Sequence, residues 1–245
     1  GLAMKKHTVL FLCGSLAIGN HLYASDEKAY SRWVVEATNT RVYWGDTHLH
    51  TSFSADAWMI GNTLGPEQAY RFAKGQEITT SSGQRARLIR PLDFLVVSDH
   101  AENLGLAPMI AESNPELLKT QNGKRLHDLV KDGKGHDAFM VWVTEGLSKN
   151  KDLIDNAAMG QTIWERSLDI SERHNQPEQF TALLGFEWTS INTPEVPSNL
   201  HRVVIFRDDA TKAKQVLPFT AYDSYDPEDL WDYMEAYEKT TGAGP

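Results

Sequence analysis

The chain has 245 residues, of which 41% are hydrophobic and 23% are charged. This length allows one large domain or two small ones, and the composition is that of a globular protein with a sizeable core. The formal net charge of −9 argues against a general nucleic-acid binder. Such a protein neutralises phosphates with clustered Lys and Arg, which this charge balance does not supply.

The N-terminus has the pattern of an export signal. A basic stretch at residues 4–7 (MKKH) precedes an apolar run over residues 8–18 (TVLFLCGSLAI), and the small residue Ala24 precedes the expected cleavage site. The apolar run is too short to span a bilayer comfortably. We therefore expect an exported protein, periplasmic or secreted, that has no stable membrane insertion after the signal is cleaved.

We exclude residues 1–24 from fold reasoning, because the three residues ahead of Met4 resemble a remnant of recombinant expression and the rest form the signal. The only cysteine, Cys13, lies in this segment, so the mature protein can form no disulfide. Lipid attachment at Cys13 is an alternative, but the bulky Leu12 disfavours it. The folded domain is expected to occupy residues 25–245.

Strand and helix patterns alternate along residues 25–245. Aromatic, β-branched and continuous apolar runs predict strands over residues 41–47 (RVYWGDT), 92–97 (LDFLVV), 180–186 (FTALLGF) and 201–206 (HRVVIF). Helical spacing of apolar residues and capping signals predict helices over residues 66–73, 117–130, 137–147, 155–174 and 226–237. This alternation indicates an α/β fold with a mainly parallel sheet or barrel, whose active site lies at the carboxyl ends of the strands.

A pair of histidines closes the first predicted strand. His48 and His50 are two residues apart, and because strand side chains alternate between faces, both project from the same face. Two imidazoles in this arrangement can reach one metal ion. The alternative is a polar strand end that is exposed to solvent.

Ligand-type residues also follow the later apolar strands. Asp99 and His100 close the second strand, where burying a carboxylate and an imidazole is costly unless they pair or bind a cation. The alternative is that Asp99 caps a helix and His100 is solvated. Glu187 follows the third strand, with a surface salt bridge as its alternative, and His201 opens the fourth. Four predicted strand ends therefore carry metal-ligand types.

Four stretches resemble the motifs of the PHP (polymerase and histidinol phosphatase) superfamily of metal-dependent hydrolases. They are residues 45–56 (GDTHLHTSFSAD), 94–100 (FLVVSDH), 185–190 (GFEWTS) and 199–201 (NLH). The amino-acid sequence around these motifs is most similar to DUF3604, a PHP-like family known only as a domain of unknown function. The resemblance implies a distorted parallel (β/α)7-type PHP barrel, of which this chain would supply the N-terminal portion.

The resemblance also implies a set of metal ligands. They are His48, His50, Asp56, His100, Glu187 and His201. Carried over position by position, His48, His50 and Glu187 hold one metal ion. Glu187 bridges to a second ion, which His201 also holds.

Asp56 and His100 are expected to hold a third ion. Asp56 follows His50 at the family's spacing, and its alternative is an Asp that only stabilises the turn over residues 54–56. Asp99 is expected to orient a neighbouring group or the metal-bound water, a task suited to a carboxylate behind the ligands. Asp99 and Glu187 are therefore the residues to which the resemblance assigns catalysis.

The chain departs from the family pattern in two respects. No candidates follow His201 for a later His and a terminal Asp-x-His that the family uses, so we expect the chain to end within its fold. The long gap between the second and third motifs implies a helical insertion over residues 101–179, near the active-site mouth. The insertion contains His127, His136 and His174, which we expect to be surface or helix-face histidines that bind no metal.

These features predict a metal-dependent hydrolase that acts through a metal-activated water. Mixed imidazole and carboxylate ligands favour two or three ions of Zn, Mn or Fe over Mg or Ca. Such a cluster suits a small-molecule phosphoester as substrate. Two alternatives stay open, a metallohydrolase of other esters or amides and a non-catalytic metal-binding module. A Ser or Cys hydrolase is poorly supported, because no Gly-x-Ser-x-Gly sequence occurs.

Overall fold

The computed structural model describes residues 42–154, 157–193 and 196–245. The expected signal segment and the lipid-attachment alternative at Cys13 lie outside these residues. Strands within them are β1 (Gly45–Leu49), β2 (Ile78–Thr79), β3 (Arg85–Ala86), β4 (Phe94–Val97), β5 (Thr181–Thr193) and β6 (Val196–Phe206).

Helices surround these strands. They are α1 (Ala55–Met59), α2 (Pro66–Ala73), α3 (Leu106–Ala111), α4 (Pro115–Leu118), α5 (Gln121–Lys131), α6 (Gly135–Val141), α7 (Ala157–His174), α8 (Ala210–Ala213) and α9 (Pro227–Thr241). A π-helical turn (Trp142–Gly146) and a 3₁₀ turn (Leu147–Lys149) follow α6. None of the helices in the described ranges combines the length and apolar character that crossing a membrane requires.

The main sheet has four strands in the order β1-β4-β5-β6 and curls into a half-barrel. β4 pairs in parallel with β1 and with β5, as the alternation of strands and helices predicts. β6 instead runs antiparallel to β5. The mixed α/β class is thus confirmed, while the described sheet is half of a barrel and not the closed (β/α)7-type barrel that the resemblance implies.

The expectation that Glu187 and His201 stand at strand ends is wrong. β5 continues past Glu187 to Thr193, because residues 188–193 (WTSINT) keep the aromatic and β-branched content that favours strands. Only residues 194 and 195 separate β5 from β6, a connection short enough for an antiparallel hairpin and too short for a parallel crossover. Both ligand-type residues therefore lie inside the hairpin strands.

The segment between β4 and β5 is helical, as its apolar spacing predicts. The predicted helix over residues 117–130 is two helices, α4 and α5, because the Thr120 hydroxyl accepts a hydrogen bond from the Gly123 N–H and caps α5. The helix predicted over residues 137–147 becomes α6 and the π-helical turn. α7 begins at Ala157 and covers the last predicted helix of this segment.

Two apolar clusters cover the sheet. The larger joins β4 to the helical segment and includes the buried residues Leu95 and Trp142. The smaller joins the β5–β6 hairpin to α7 and α9 through aromatic contacts. The ring centroids of Trp164 and Phe206 are 6.0 Å apart, and those of Phe206 and Tyr237 are 4.8 Å apart. In β5 the cluster residues Ala182, Leu184 and Phe186 alternate with Glu187, so both clusters pack on the face of the sheet opposite the one that carries Glu187.

Gly185 of β5 lies where its neighbours leave no room for a side chain. A Cβ there would be 2.6 Å from the Val204 carbonyl oxygen and 2.7 Å from Cγ1 of Val96. We expect Gly185→Ala to lower the free energy of unfolding by about 1–3 kcal/mol through overpacking. Urea denaturation measures this change.

Gly160→Ala in α7 is the matched control. The nearest atom to its added Cβ would be the Leu104 carbonyl oxygen at 3.7 Å. Alanine inside a helix should raise stability by about 0.5–1 kcal/mol relative to glycine. If both variants unfolded at the same urea concentration, the close approach of β5 to its neighbours would not limit stability.

Candidate metal centre

Two histidines of the first motif face a buried carboxylate two strands away. The Nε2 atom of His48 lies 3.1 Å from Oε2 of Glu187, and Nε2 of His50 lies 2.5 Å from the same oxygen. The two imidazole centroids are 5.3 Å apart. The side chains thus point the same way, as strand alternation predicts, and the structure brings these three residues together.

The two atoms that lie closest together in this group have no hydrogen bonds. Nε2 of His50 and Oε2 of Glu187 are both buried, and neither has a hydrogen-bond partner among the described residues. A buried polar atom left in this way costs about 1–3 kcal/mol. Lone pairs that converge on one point are what a cation satisfies, so these residues fit a bound metal ion.

The second oxygen of the same carboxylate faces another histidine. Oε1 of Glu187 lies 2.5 Å from Nδ1 of His201, while its Oε2 faces His48 and His50. The Glu187 side chain is fully buried. A carboxylate whose two oxygens address different imidazoles has the geometry of a bridging ligand, which is the arrangement that the sequence resemblance implies.

Asp56 lies in the first turn of α1 and faces two other histidines. Its Oδ2 is 3.0 Å from Nδ1 of His50 and 3.5 Å from Nε2 of His100. The Ser54 hydroxyl and the Ala57 N–H donate hydrogen bonds to its Oδ1. Asp56 can therefore hold an ion together with His100, or it can accept a hydrogen bond from Nδ1 of His50 and orient that imidazole.

All six residues expected to bind metal fall into three overlapping groups. Within each group the candidate ligand atoms lie within 4.8 Å of one another. The groups found among the described residues are His48–His50–Glu187, His50–Asp56–His100 and His100–Glu187–His201. The structure could thus hold more than one metal ion, with His50, His100 and Glu187 shared between neighbouring positions.

Asp99 stands behind these groups. Its Oδ1 accepts a hydrogen bond of 2.5 Å from the Thr51 N–H, and its Oδ2 accepts one of 2.7 Å from the Thr51 hydroxyl. Burial raises the pKa of Asp99 to about 6. The capping alternative is wrong, because the next helix begins only at Leu106, and His100 is buried and not solvated. Asp99 holds the turn that follows His50.

Charges within the centre compensate one another. Burial alone would lower the pKa of each imidazole, but the carboxylates of Asp56 and Glu187 raise that of His50 to about 9. Asp56 and Glu102 likewise raise the pKa of His100 to about 10, against its burial. Burial alone would raise the pKa of Glu187, yet the surrounding imidazoles lower it to about 2. These side chains therefore favour positive charge, which metal ions would supply while releasing protons.

Sequence reasoning missed two residues that contact the ligands. Glu102 is buried, and its Oε2 lies 3.3 Å from Nδ1 of His100. The Thr189 hydroxyl lies 3.0 Å from the same nitrogen and 3.3 Å from Nδ1 of His201. The sequence could have indicated Thr189, because this residue follows Glu187 by two positions and so lies on the same face of β5. For Glu102 the only signal was a charged residue just after a predicted ligand.

The three histidines of the insertion lie away from the centre, but they are not all on the surface. His136 is exposed, and His127 is partly buried. His174 is buried at the end of α7, where its ring stacks on Tyr70 with centroids 5.2 Å apart and its Nε2 lies 3.0 Å from Oε2 of Glu67. His174 therefore lies on a helix face and not on the surface, because α7 packs against α2.

A family model described as "Protein of unknown function (DUF3604)" matches residues 37–244, so the chain belongs to this family. The match spans every residue of the three groups. No curated protein and no solved structure matches the chain. The family description assigns no activity, so a function has to be argued from the geometry of the site.

We expect the mature protein to retain transition metal after dialysis, and His48→Ala combined with His50→Ala to abolish tight binding. Two ligands of one group leave together, and the carboxylate of Glu187 alone cannot hold the ion. Mass spectrometry of the dialysed protein measures the metal content. His136→Ala is the control, since this exposed histidine belongs to none of the groups. Metal at the wild-type level in the double variant would refute the assignment.

Asp56→Asn tests whether Asp56 is itself a ligand. If it holds an ion with His100, the substitution should lower the metal content by about one ion per chain, because an amide oxygen is a much weaker ligand than a carboxylate. If Asp56 only orients His50 or shapes the turn, the stoichiometry should stay the same. Metal titration followed by calorimetry distinguishes the two results, and we expect the loss of an ion.

Proposed function

We propose that this DUF3604 protein is a metal-dependent hydrolase of the PHP superfamily and that it cleaves phosphoesters. The proposed site holds two or three divalent ions, of Zn, Mn or Fe. The observation that carries the proposal is the buried carboxylate of Glu187, which offers one oxygen to His48 and His50 and the other to His201. A carboxylate bridge between neighbouring ions is typical of hydrolases that act on phosphoesters with more than one metal.

When bound, divalent ions would supply Lewis acidity, lowering the pKa of a water molecule and stabilising negative charge on phosphoryl oxygens. The protein then needs no nucleophilic side chain. Its own task is to fix the ligands, and the burial of His50, His100 and Glu187 does this from the sheet side. Nitrogen and oxygen ligands together support Zn, Mn or Fe over Mg or Ca.

The exposed candidate ligands indicate the side from which a substrate would approach. The side chain of His48 is 48% exposed and that of His201 is 36% exposed, whereas Glu187 between them is fully buried. These two imidazoles therefore line the open side of the centre. A small phosphoester would enter between them, with its leaving group toward solvent or toward the loops around the site.

Asp99 and Glu187 have different parts in this proposal. Glu187 acts directly, as the shared ligand. Asp99 acts through the backbone, because its hydrogen bonds to Thr51 fix the turn after His50 and so hold that imidazole toward Glu187.

Export of the protein to the periplasm or beyond is also part of the proposal. It rests only on the sequence pattern of residues 1–24.

The test is hydrolysis by protein loaded with Zn²⁺ or Mn²⁺ and supplied with three chromogenic substrates, a phosphomonoester, a phosphodiester and a carboxyl ester. We expect turnover of a phosphoester that a chelator abolishes. Glu187→Gln should reduce this turnover by about 100-fold or more, which corresponds to about 2.7 kcal/mol of activation free energy. Glu112→Gln is the matched control, since this exposed side chain pairs with Arg166 and belongs to none of the three groups.

The same assay distinguishes the alternatives. Faster turnover of the carboxyl ester would identify a metallohydrolase of other esters. Stoichiometric metal without turnover of any substrate would indicate a binding module, and absence of metal would remove the basis of the proposal.

A further inference from the structure

Glu102 is a buried carboxylate that the proposed chemistry does not use. Its Oε1 accepts hydrogen bonds from the N–H groups of Thr189, at 3.1 Å, and Ala221, at 2.9 Å. These donors come from β5 and from the loop before α9, so they fix the carboxylate in place from two sides. Its side chain is fully buried.

The other oxygen of this carboxylate is directed at the metal centre. Oε2 of Glu102 is buried without a hydrogen-bond partner of good geometry among the described residues. Its close polar contact is Nδ1 of His100, at 3.3 Å. A buried carboxylate oxygen is costly without a nearby positive or donating group, and Nδ1 of His100 is the group placed to satisfy it.

His100 belongs to two of the three groups and faces each with a different ring nitrogen. Its Nε2 faces Asp56 at 3.5 Å, whereas its Nδ1 faces Glu187 at 3.6 Å. A neutral imidazole carries a proton on one nitrogen and a lone pair on the other. The position of that proton therefore decides whether His100 serves the group with Asp56 or the group with His201.

We propose that Glu102 is a positioning residue that keeps the proton of His100 on Nδ1 and commits Nε2 to the ion held with Asp56. This inference rests on the metal centre of the proposed function and adds a residue to it. An imidazole that binds metal through one nitrogen and faces a carboxylate with the other is held in one tautomer and one orientation. The group with Glu187 and His201 then acts without His100.

Thr189 is the competing explanation. Its hydroxyl lies 3.0 Å from the same nitrogen of His100, closer than Glu102. A neutral hydroxyl can accept a hydrogen bond from Nδ1 or donate one to it, so it does not fix the tautomer by itself. A carboxylate oxygen offers lone pairs and accepts hydrogen bonds. Because two backbone donors fix Oε1 of Glu102, its Oε2 is the fixed acceptor that selects the tautomer.

The experiment compares Glu102→Gln, Thr189→Val and the control Glu112→Gln, each titrated with Zn²⁺ against a chelator. Glu102→Gln keeps an oxygen for the two backbone donors but can place an amide N–H group toward Nδ1. We expect Glu102→Gln to weaken one Zn²⁺ site by about 10–100-fold. Thr189→Val and Glu112→Gln should change the Zn²⁺ affinity by less than about threefold, which is well below the 10-fold loss expected for a residue that orients a metal ligand. Thermal unfolding without metal checks that all three variants fold.

A second measurement needs only the wild-type protein. Long-range ¹H–¹⁵N NMR of the Zn²⁺-loaded form should show His100 with a protonated Nδ1 and a metal-bound Nε2. An unprotonated Nδ1 would overturn the inference, as would a loss of affinity in Thr189→Val that Glu102→Gln does not share. Wild-type protein that binds no Zn²⁺ would instead refute the proposed metal centre. Equal affinities of wild type and Glu102→Gln would refute only the role of Glu102.

Discussion

The structure depends on one interaction, the burial of the Glu187 carboxylate among imidazoles. A buried carboxylate is stable only if positive charge or hydrogen-bond donors surround it. Here His48 and His50 come from one side, His100 from the neighbouring strand end and His201 from the other side. The strand order β1-β4-β5-β6 puts these elements side by side, so the sheet topology and the charge compensation of Glu187 require each other.

The antiparallel hairpin is what brings His201 to this carboxylate. Thr189 of β5 pairs directly with His201 of β6, and Glu187 is two residues from Thr189 on the same face. Diagonal neighbours of this kind are within reach of long side chains. A register slip of one residue would turn His201 to the opposite face. The register of the hairpin is therefore as important for the site as the ligand residues themselves.

The sequence predicts those parts of the site that depend on residues close together in the chain. His48 and His50 could be predicted together, because alternation within one strand places both on one face. The half-barrel was predictable in part, since the apolar run before Asp99 marks a strand buried on both faces. The antiparallel direction of β6 was missed although its signal is local, the short connection over residues 194 and 195. The orientation of Glu102 and the burial of His174 could not be predicted, because they depend on Thr189, on Ala221 and on α2, which are distant in the chain.

The same long-range packing joins the helical segment between β4 and β5 to the candidate metal centre. The ring of Trp142, in the π-helical turn, packs edge-on against His100 with centroids 6.0 Å apart. Its indole N–H donates to Oδ1 of Asn103, which also accepts a hydrogen bond from the Tyr222 hydroxyl. π-helical turns interrupt α-helices most often at functional sites. His100 thus contacts Glu102 on one side and the buried ring of Trp142 on another, so this ring connects the helical segment to a candidate ligand.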